Sequence, residues 1–494
     1  MTSVCLITPP SPFLLDERVF VSLGILKVAS SLEAGGYQIN FLDLSGVENF
    51  LTPLEDYVRG STDIAIGITT TTPQLPSVIK IAARIRELRH DLRLILGGPH
   101  VTLVYSALKM ERKAGRIGRA VQATAKLEQC FDVLVSGDGE LAVFEALKPD
   151  PPKVIDGDDP KGGLFLTDQM FTEYPMPARH LVDLKSYHYS IEGFPATSLI
   201  AQLGCPFACG FCGGRNSKTL RQIRNRTTAS VLAEVEHLHT HHGYTGFMFY
   251  DDELNVSKTL IEMMDGLTDM QMRLGVEFRL RGFVKSELFT AAQAAAMYRA
   301  GFRWLLCGFE AANPRILTNI NKRATLEDNT RAVEHAKNHG LKIKALMSVG
   351  HPGESAESIG NICDWLINMQ VDDFDCTVIT TYPGTPYYDM AEQTSPHIWT
   401  YTQPKTGDRL HAYELDYATT ADYYKGDPSG GYKSFVYTDH LAAEQIVNLR
   451  NVVEEHVREM LDIPFNPGAA ALRYEHSMGQ GLPGFIHRQT CPSI

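Results

Sequence analysis

Short apolar runs alternate with helical patterns over the first 150 residues of the chain. The run SVCLITPP at residues 3–10 ends in prolines, and a helical pattern then extends from Ser22 through Leu32. Four further runs predict strands: YQINFLDL, DIAIGITT, LRLILGG and DVLVSGDGE. The amphipathic pattern PSVIKIAARIRELR, between the second and third of these runs, predicts a helix. Strands that alternate with helices predict a doubly wound α/β domain, in which a parallel sheet carries helices on both faces.

The same alternation resumes after residue 190 and continues to about residue 394. Six apolar runs predict strands, each followed by a helical pattern or a loop: TSLIAQLGC, GFMFYDDE, VEFRLRG, RWLLCGFEA, LKIKALMSVG and DDFDCTVITTYPGTP. In parallel barrels the chemistry lies at the carboxyl ends of the strands, because only there do the variable loops converge. The loops that follow these six runs are therefore the candidate site.

Two other segments differ from these blocks. Residues 148–163 hold four prolines, three glycines and many charges, which is typical of an exposed connector. Residues 395–494 begin with a stretch rich in tyrosine and glycine and continue with the helical pattern LAAEQIVNLRNVVEEHVREML. We predict four parts: a domain at 1–147, a linker at 148–190, a second domain at 191–394 and a small α-rich extension at 395–494. The extension is interpreted as a pocket wall, a lid or packing.

Composition narrows the class of protein. A chain of 494 residues exceeds what one hydrophobic core supports. No apolar run approaches the eighteen or so residues of a membrane span, and the first basic residue, Arg18, arrives late for a signal peptide, so a cytoplasmic protein without a membrane span is expected. The net charge of −12 argues against nucleic acid as a partner, since binding a phosphate backbone needs a basic surface. Thinly scattered cysteines fit a reducing compartment.

Three of the nine cysteines gather in GCPFACGFCG, at Cys205, Cys209 and Cys212. A disulfide would leave one thiol over. Structural zinc normally takes four ligands, and no second Cys or His pair follows at a usual spacing. Iron–sulfur clusters are held by cysteine thiolates, so a cluster with three protein ligands keeps one iron open for another molecule.

This spacing, with Phe211 just before the last cysteine, resembles the radical S-adenosylmethionine (SAM) superfamily. The resemblance implies that Cys205, Cys209 and Cys212 bind a 4Fe-4S cluster whose open iron takes the amino and carboxylate groups of SAM. Reductive cleavage of SAM would then give a 5'-deoxyadenosyl radical. It also implies that the six strand units form a partial (β/α)6 barrel.

Further loop residues match the superfamily's SAM-binding positions. The resemblance places Glu310 against the ribose, YDDE (residues 250–253) near the amino group, and SVGHPGES (residues 348–355) beside the adenine. Arg281 would pair with the SAM carboxylate, although Arg279 has the same strand parity, and Asp251 competes for the amino group. The SAM-binding candidates are Phe211, Asp252, Glu253, Arg281, Glu310, Ser348 and Gly350.

The first domain resembles the cobalamin-binding domain found ahead of many radical SAM domains, notably in LGGPHVT and SGDGE. It lacks the Asp-x-His-x-x-Gly motif, so ligation of cobalt by that histidine is not expected. A scaffold that binds another ligand, or none, is the alternative. The cobalamin-binding candidates lie at the ends of the predicted strands: Pro9, Pro10, Thr70, Thr71, Thr72, Gly97, Gly98, His100, Gly137, Gly139 and Glu140.

Two other clusters, one of histidines and one of basic residues, are interpreted as structural before any functional role is considered. Histidines at 237, 239, 241 and 242 end a helical pattern, where imidazoles suit the helix dipole better than they indicate a metal site. The basic residues that follow the cysteine motif are interpreted first as a solvated face, and otherwise as attracting an anionic substrate or stabilising the charge of the cluster and SAM: Arg215, Lys218, Arg221, Arg224 and Arg226.

The two resemblances together imply a cobalamin-dependent radical SAM methyltransferase acting at an unactivated carbon. A small-molecule substrate and an external electron donor such as flavodoxin or ferredoxin would be its partners, and no catalytic side chain is assigned. The alternatives are the same cofactors used without methyl transfer, in ring contraction, cyclisation or oxidation, and a cobalamin or redox sensor with a structural cluster.

Overall fold

The computed structural model describes residues 2–11, 17–422 and 432–464. Its first domain is a parallel sheet of six strands in the order β2-β1-β3-β4-β5-β6. The strands are β1 (Ser3–Thr8), β2 (Gln38–Asp43), β3 (Ala65–Thr69), β4 (Arg93–Gly97), β5 (Val133–Gly137) and β6 (Val154–Gly157). The first five coincide with the predicted strands, which confirms the parallel α/β architecture.

Helices cover both faces of this sheet. They are α1 (Leu23–Ala34), α2 (Leu51–Gly60), α3 (Leu75–Leu88), α4 (Pro99–Lys113), α5 (Arg119–Cys130) and α6 (Gly139–Ala146). Successive side chains of β1 enter opposite cores: Ile7 packs with α2 and α3, whereas Leu6 packs with α1 and α6. Both faces are thus buried, as an all-parallel sheet requires.

The predicted connector contributes to this domain. Residues 148–190 supply β6, which pairs with β5, and the buried Asp158, which lies just beyond β6. The Asp158 carboxylate accepts hydrogen bonds from Ser217 Oγ (2.6 Å) and from the Thr219 backbone N–H (2.7 Å). The expectation of an exposed connector is therefore wrong for this stretch, because its apolar residues complete the sheet and its carboxylate holds the cysteine loop.

The second sheet has the order β15-β14-β13-β12-β11-β8-β7, and all its pairs are parallel except β7 with β8. Its strands are β7 (Ser190–Ile191), β8 (Phe194–Leu199), β11 (Gly246–Phe249), β12 (Arg279–Val284), β13 (Phe302–Glu310), β14 (Lys342–Val349) and β15 (Asp373–Val378). A short hairpin, β9 (Gln202–Leu203) and β10 (Arg224–Asn225), flanks the cysteine loop.

Helices pack on the outer face of the second sheet. They are α8 (Thr228–His242), α9 (Leu260–Leu274), α10 (Ala291–Ala300), α12 (Leu326–Asn338) and α13 (Ala356–Met369). Three shorter helices lie elsewhere: α7 (Asp168–Glu173) lies beside β10, and α11 (Pro314–Ile320) and α14 (Pro386–Asp389) contact the cysteine loop. On the inner face, Met248 and Leu306 pack against Val19 and Phe20 of the first domain. The loop that follows β1 thus reaches the inside of the second sheet.

The extension beyond residue 391 contains both a sheet and a helix in the part that the structure describes. It forms a four-stranded antiparallel sheet, β16 (Glu392–Ser395), β17 (Ile398–Thr402), β18 (Arg409–Tyr413) and β19 (Val436–Thr438), followed by helix α15 (Ala443–Leu461). The predicted helical pattern is present as α15, but the α-rich expectation missed the sheet, because the alternating IWTYT and RLHAY segments pair as strands. Residues 423–431 and 465–494 of that prediction lie outside the described residues.

Helix α15 covers the outer edge of β15, the last strand of the second sheet. Glu454 accepts a hydrogen bond from the Cys376 N–H (2.7 Å), and Arg450 donates to the Cys376 carbonyl (2.6 Å). Arg458 donates to the Phe374 carbonyl (2.8 Å). An edge strand otherwise presents a row of unpaired backbone groups, and here charged side chains pair them.

Candidate functional site

The three cysteines lie on a loop whose backbone is held by arginine. Arg215 donates hydrogen bonds to the carbonyls of Cys205 (3.1 Å), Phe207 and Gly213 (3.1 Å), and Arg221 donates to the carbonyl of Pro206 (2.8 Å). Because each carbonyl gains a charged donor, the loop is fixed without using the thiols.

The basic set near these cysteines is therefore not a solvated face. Arg215 and Arg224 are buried, and Arg224 pairs with Asp138 of the first domain and donates to the Thr219 carbonyl (2.8 Å). Arg226 pairs with the buried Glu234, whereas Lys218 is exposed. These arginines brace the loop and join it to the first domain, which composition alone does not reveal.

The thiols of the loop face a confined space. Cys209 is buried, and Cys205 and Cys212 are half-buried. Burial raises the pKa of the Cys212 thiol to about 12, with smaller contributions from Cys209 and Cys205 that also raise it, while Arg215 opposes them. Binding of a metal cluster would replace the protons that burial retains on these thiols.

Glu310 stands at the centre of a hydrogen-bonded network at the carboxyl end of β13. Lys322 Nζ lies 3.1 Å from its Oε1, and Ser348 Oγ donates to its Oε2 (2.8 Å). Ser348 Oγ also contacts His351 Nε2 (2.8 Å). Glu310 has a φ of 66°, in the left-handed region, and such backbone strain is concentrated at functional sites.

Other SAM-binding candidates gather around this network. The Phe211 ring meets the His351 ring edge-on, with centroids 5.4 Å apart. Gly350 has a φ of 93°, and its N–H donates to Glu354 Oε2 (3.0 Å), so a glycine is required at this turn. The structure thus brings together the cysteine loop and the turn after β14.

The YDDE segment divides into two roles. Asp251 is buried and accepts hydrogen bonds from the backbone N–H groups of Ala201 (3.2 Å) and Gln202, which ties β11 to the end of β8. Asp252 is exposed and Glu253 is half-buried. Burial raises the pKa of Glu253 to about 7 against the opposing charges of Lys322 and Lys285. Asp252 and Glu253 stay candidates for ligand binding, whereas Asp251 is occupied.

Arg281 lies away from the Glu310 network. Its guanidinium donates to the Tyr189 hydroxyl (3.3 Å), and Arg281 pairs in register with Trp304, near the start of β13. Glu310 ends the same strand. The geometry therefore gives no support to a role for Arg281 beside SAM, and Arg279 forms an ion pair with Glu192 (3.1 Å).

A cavity of about 880 Å³ lies between the two sheets. The first domain contributes the residues that follow β1, β3 and β4, among them Ser11, Thr71, Thr72, Gln74 and Pro99. The second domain contributes the inner face of its strands, up to Glu310. The carboxyl ends of both parallel sheets thus meet at one space, where α/β folds bind their ligands.

The cobalamin-binding candidates fall into two groups. Thr71 and Thr72 line the cavity. The other candidates of the three loops that follow β1, β3 and β4 lie close to lining residues along the chain: Pro9, Pro10, Thr70, Gly97, Gly98 and His100. His100 is buried, and its Nδ1 contacts Thr72 Oγ1 (3.0 Å). Burial lowers the pKa of His100 to about 4, so a neutral imidazole braces the threonine turn.

The GDGE loop takes part in a different contact. Asp138 pairs with Arg224, and a side chain at Gly137 would lie 2.4 Å from the backbone of Asp158. Gly139 packs against Val28 of α1. The backbone of this loop packs closely against other parts of the protein. Gly137, Gly139 and Glu140 are not among the described residues that line the cavity.

Sequence reasoning missed Lys322, which is buried beside Glu310. Burial alone would lower the pKa of Lys322, but the Glu310 carboxylate and the Cys209 thiol raise it above its ordinary value. A lysine in NINKRAT gives no signal by itself. Its position after α11, the helix that follows Glu310, becomes meaningful only in three dimensions.

The histidine group at the end of α8 forms a stack of rings. The His237 and His241 centroids are 4.3 Å apart, and both side chains lie at the last turns of the helix. The helix ends at Gly243, with a φ of 74°. This arrangement agrees with a helix C-terminus rather than a ligand site.

The fold and the site define a class of protein. Residues 199–366 match the model of the Radical SAM superfamily, so the chain carries a radical SAM domain behind a doubly wound domain. A radical SAM domain has a 4Fe-4S cluster and SAM as its cofactors. The predicted resemblance to the radical SAM superfamily is confirmed, whereas the assignment of Cys205, Cys209 and Cys212 as cluster ligands stays a prediction.

Two relatives and one solved structure extend this class. An uncharacterised methyltransferase of Pyrococcus horikoshii is 24% identical over 409 residues, 78% of this chain and 83% of that protein. The anaerobic magnesium-protoporphyrin IX monomethyl ester cyclase of Rubrivivax gelatinosus is 27% identical over 363 residues, 68% of this chain and 60% of that protein. The radical SAM methyltransferase TsrM of Kitasatospora setae, solved with cobalamin and a 4Fe-4S cluster, gives a TM-score of 0.67 at 17% identity and covers 94% of this chain and 90% of that chain.

These similarities confirm the predicted resemblance to cobalamin-dependent radical SAM enzymes, and they show a shared fold with TsrM. Within the described residues, every helix is too short or too polar to cross a membrane.

Proposed function

We propose that the protein is a cobalamin-dependent radical SAM methyltransferase that acts at an unactivated carbon of a small-molecule biosynthetic intermediate. The observation that carries this proposal is the cavity of about 880 Å³ that both sheets border. Methyl transfer needs a methyl carrier and a radical source close to the same substrate carbon, and one shared cavity meets that need.

In this proposal the cysteine loop holds the cluster, which supplies the electron that cleaves SAM. Cys205, Cys209 and Cys212 provide the thiolates, and Arg215 keeps the loop carbonyls in place. Charged donors around the loop also offset the negative charge that three thiolates bring.

SAM would lie along the Glu310 network. Glu310 would accept hydrogen bonds from the ribose hydroxyls, Lys322 would bind the carboxylate, and Asp252 or Glu253 would bind the amino group. The turn at Ser348 and Gly350 would contact the adenine, with the Phe211 ring beside it. Lys322 takes the place that the sequence predicts for Arg281.

Cobalamin would lie on the edge of the first domain. Hydroxyl and amide groups of Ser11, Thr71, Thr72 and Gln74 line that side of the cavity, which suits a macrocycle rimmed with amides. The turn is kept in shape because Gln74 Nε2 donates to the Pro9 carbonyl (3.0 Å) and His100 braces Thr72.

The finer architecture belongs to the same proposal. We assign the six parallel strands to a partial (β/α)6 barrel at residues 191–394, and we extend the first domain beyond the predicted boundary at 147 so that it includes β6. A small-molecule substrate agrees with the TsrM structure that contains tryptophan and a SAM analogue. An external electron donor of the flavodoxin or ferredoxin type, a cytoplasmic site of action and the absence of nucleic acid complete it.

The test is anaerobic reconstitution of the cluster, addition of hydroxocobalamin, gel filtration and measurement of iron and cobalt. Near-stoichiometric cobalt with a full cluster supports the two-cofactor enzyme. A full cluster without cobalt contradicts the methyltransferase and leaves a radical SAM enzyme whose first domain binds another ligand.

The cyclase relative motivates a second candidate, in which the same cofactors serve chemistry without methyl transfer. The two candidates differ in product mass. The methyltransferase adds one methyl group to its substrate, whereas a cyclase or oxidase adds none.

A further inference from the structure

One ion pair interrupts the apolar inner face of the second sheet, below the cavity. Lys344 Nζ lies 3.1 Å from Asp373 Oδ2 and 3.1 Å from Asp375 Oδ1, and the Lys344 side chain is wholly buried. The register of the sheet places Leu306 next to Lys344, and Leu346 next to Asp375. The charged groups thus lie directly beside apolar side chains.

The two carboxylates of this group differ in their surroundings. Asp373 is held from behind, because Arg458 of α15 lies 3.6 Å from its Oδ1 and the Phe374 N–H donates to the same oxygen (2.8 Å). Asp375 lines the cavity and its side chain is 18% exposed. Its buried Oδ1 lies close to Lys344 but has no hydrogen bond of normal geometry. Of the two carboxylates, Asp375 is therefore the one that lines the cavity.

The charges on the cavity wall favour one kind of ligand group. Among the described residues that line the cavity, Lys344 is the one cationic side chain, and it is buried behind carboxylates. Glu310 is already engaged by Lys322 and Ser348. A substrate anion would face Asp375 in a site of low dielectric, whereas an ammonium or N–H group would gain a charge-assisted hydrogen bond.

The rest of this wall suits a flat apolar body. Phe20 from the first domain packs against Tyr250, with ring centroids 5.3 Å apart, and Phe283, Leu306 and Leu346 continue the surface. Pockets lined in this way, with few polar groups, orient ligands through those polar groups.

We propose that Asp375, held by Lys344, anchors an amine or N–H group of the substrate, whose ring-bearing apolar body lies along Phe20, Tyr250, Phe283, Leu306 and Leu346. This inference rests on the proposed function, because it assigns the substrate to the same cavity. It narrows the substrate class to aromatic or polycyclic amines and excludes molecules that enter with a carboxylate toward the sheet.

The test uses three probes that share one ring and differ in charge: 2-(2-naphthyl)ethylamine, 2-(2-naphthyl)ethanol and 3-(2-naphthyl)propionate. Their dissociation constants are measured by calorimetry on the full chain with its cluster reconstituted. We expect the amine to bind about tenfold more tightly than the alcohol, and the propionate to bind more weakly than both.

Asp375→Asn removes the charge and keeps the shape. It is expected to weaken amine binding about tenfold and to leave the alcohol unchanged. Asp364→Asn, an exposed aspartate on α13, makes the same change of charge outside the cavity and should alter neither probe.

Equal binding of the three probes by the unaltered protein, tighter binding of the propionate, or no binding at all overturns the proposal without any variant. An amine preference that survives Asp375→Asn assigns the selectivity to another group and also overturns it. Iron and cobalt are measured on the same samples. Loss of cobalt with a retained amine preference would contradict the proposed function alone.

Discussion

The two edges that face each other across the cavity are built differently. At the mouth of the second sheet, the charged side chains of Glu310 and Lys322 contact each other, and the Ser348 hydroxyl donates to Glu310. The edge of the first domain presents neutral groups, Thr71, Thr72 and Gln74 among them, on a turn held by local hydrogen bonds. One edge carries a network of charged groups. The other carries mainly hydroxyl and amide groups, with Glu17 as the one charged side chain among the described first-domain residues that line the cavity.

This difference suits two different ligands. Charged, preorganised groups bind the charged ends of a small molecule strongly and in one orientation. A neutral edge of hydroxyls and amides accepts a large ligand through many weak contacts. A single substitution at the charged edge of the second sheet should therefore weaken ligand binding strongly. At the edge of the first domain, a substitution should weaken binding mainly when it changes the shape of the cavity.

The largest effect is expected at the cysteine loop. Cys209→Ala removes one thiolate of the cluster, so iron content and SAM cleavage should fall to background while cobalamin binding persists. Iron analysis and the yield of 5'-deoxyadenosine measure this. Cys363→Ala, outside the loop, is the control, and retention of a full cluster in Cys209→Ala would refute the assignment.

Lys322→Met should produce the next largest effect. It leaves the Glu310 carboxylate buried without its cation, and we expect SAM affinity to fall by roughly 10- to 100-fold. Equilibrium dialysis of labelled SAM measures the change, and the exposed Lys342→Met is the matched control. Unchanged affinity would show that Lys322 has only a structural role.

At the opposite edge, Thr71→Phe should block cobalamin through bulk. Thr71 is exposed to the cavity, so a large ring there is expected to lower bound cobalt about tenfold and to leave SAM cleavage intact. Thr52→Phe, on the exposed face of α2, controls for the added ring. Normal cobalt content in Thr71→Phe would move the ligand away from this edge.

The smallest effect concerns pH and stability. Burial raises the pKa of Glu354 from 4.5 to about 7, so its protonated form favours the fold. That contribution is complete below pH 4.5 and is lost as the pH rises to about 7. From pH 5 to pH 8, the free energy of unfolding of the unaltered protein should therefore fall by roughly 2 kcal/mol more than that of Glu354→Gln.

Urea denaturation at the two pH values measures this difference, with Glu357→Gln, exposed in the first turn of α13, as the control. Parallel decline of the unaltered protein and Glu354→Gln would show that another carboxylate titrates.

Much of the fold was predictable because strand and helix periods are local. The runs around Ile7, Ile68 and Leu96 each predict a buried strand, and each is one. The β6 strand was not predicted from the sequence, because it is only four residues long and lies among prolines and charged residues. The antiparallel sheet after residue 391 was not predicted, because tyrosine-rich segments are equally typical of irregular chain.

The site was predictable where spacing along the chain defines it. Cys205, Cys209 and Cys212 belong to one loop, and Ser348 and Gly350 to one turn. Lys322, Arg215 and Asp375 come together with their partners only through the register of strands and the path of loops. Arg281 has a suitable side chain, but its level on the strand places it deeper in the sheet.

The cover that α15 forms on β15 has a consequence for solubility. A chain that ended before Ala443 would expose the Cys376 N–H and the carbonyls of Phe374 and Cys376 along a bare strand edge. Such an edge is a template for intermolecular strand addition. The charged face of the last helix is therefore also what keeps neighbouring copies from joining sheet to sheet.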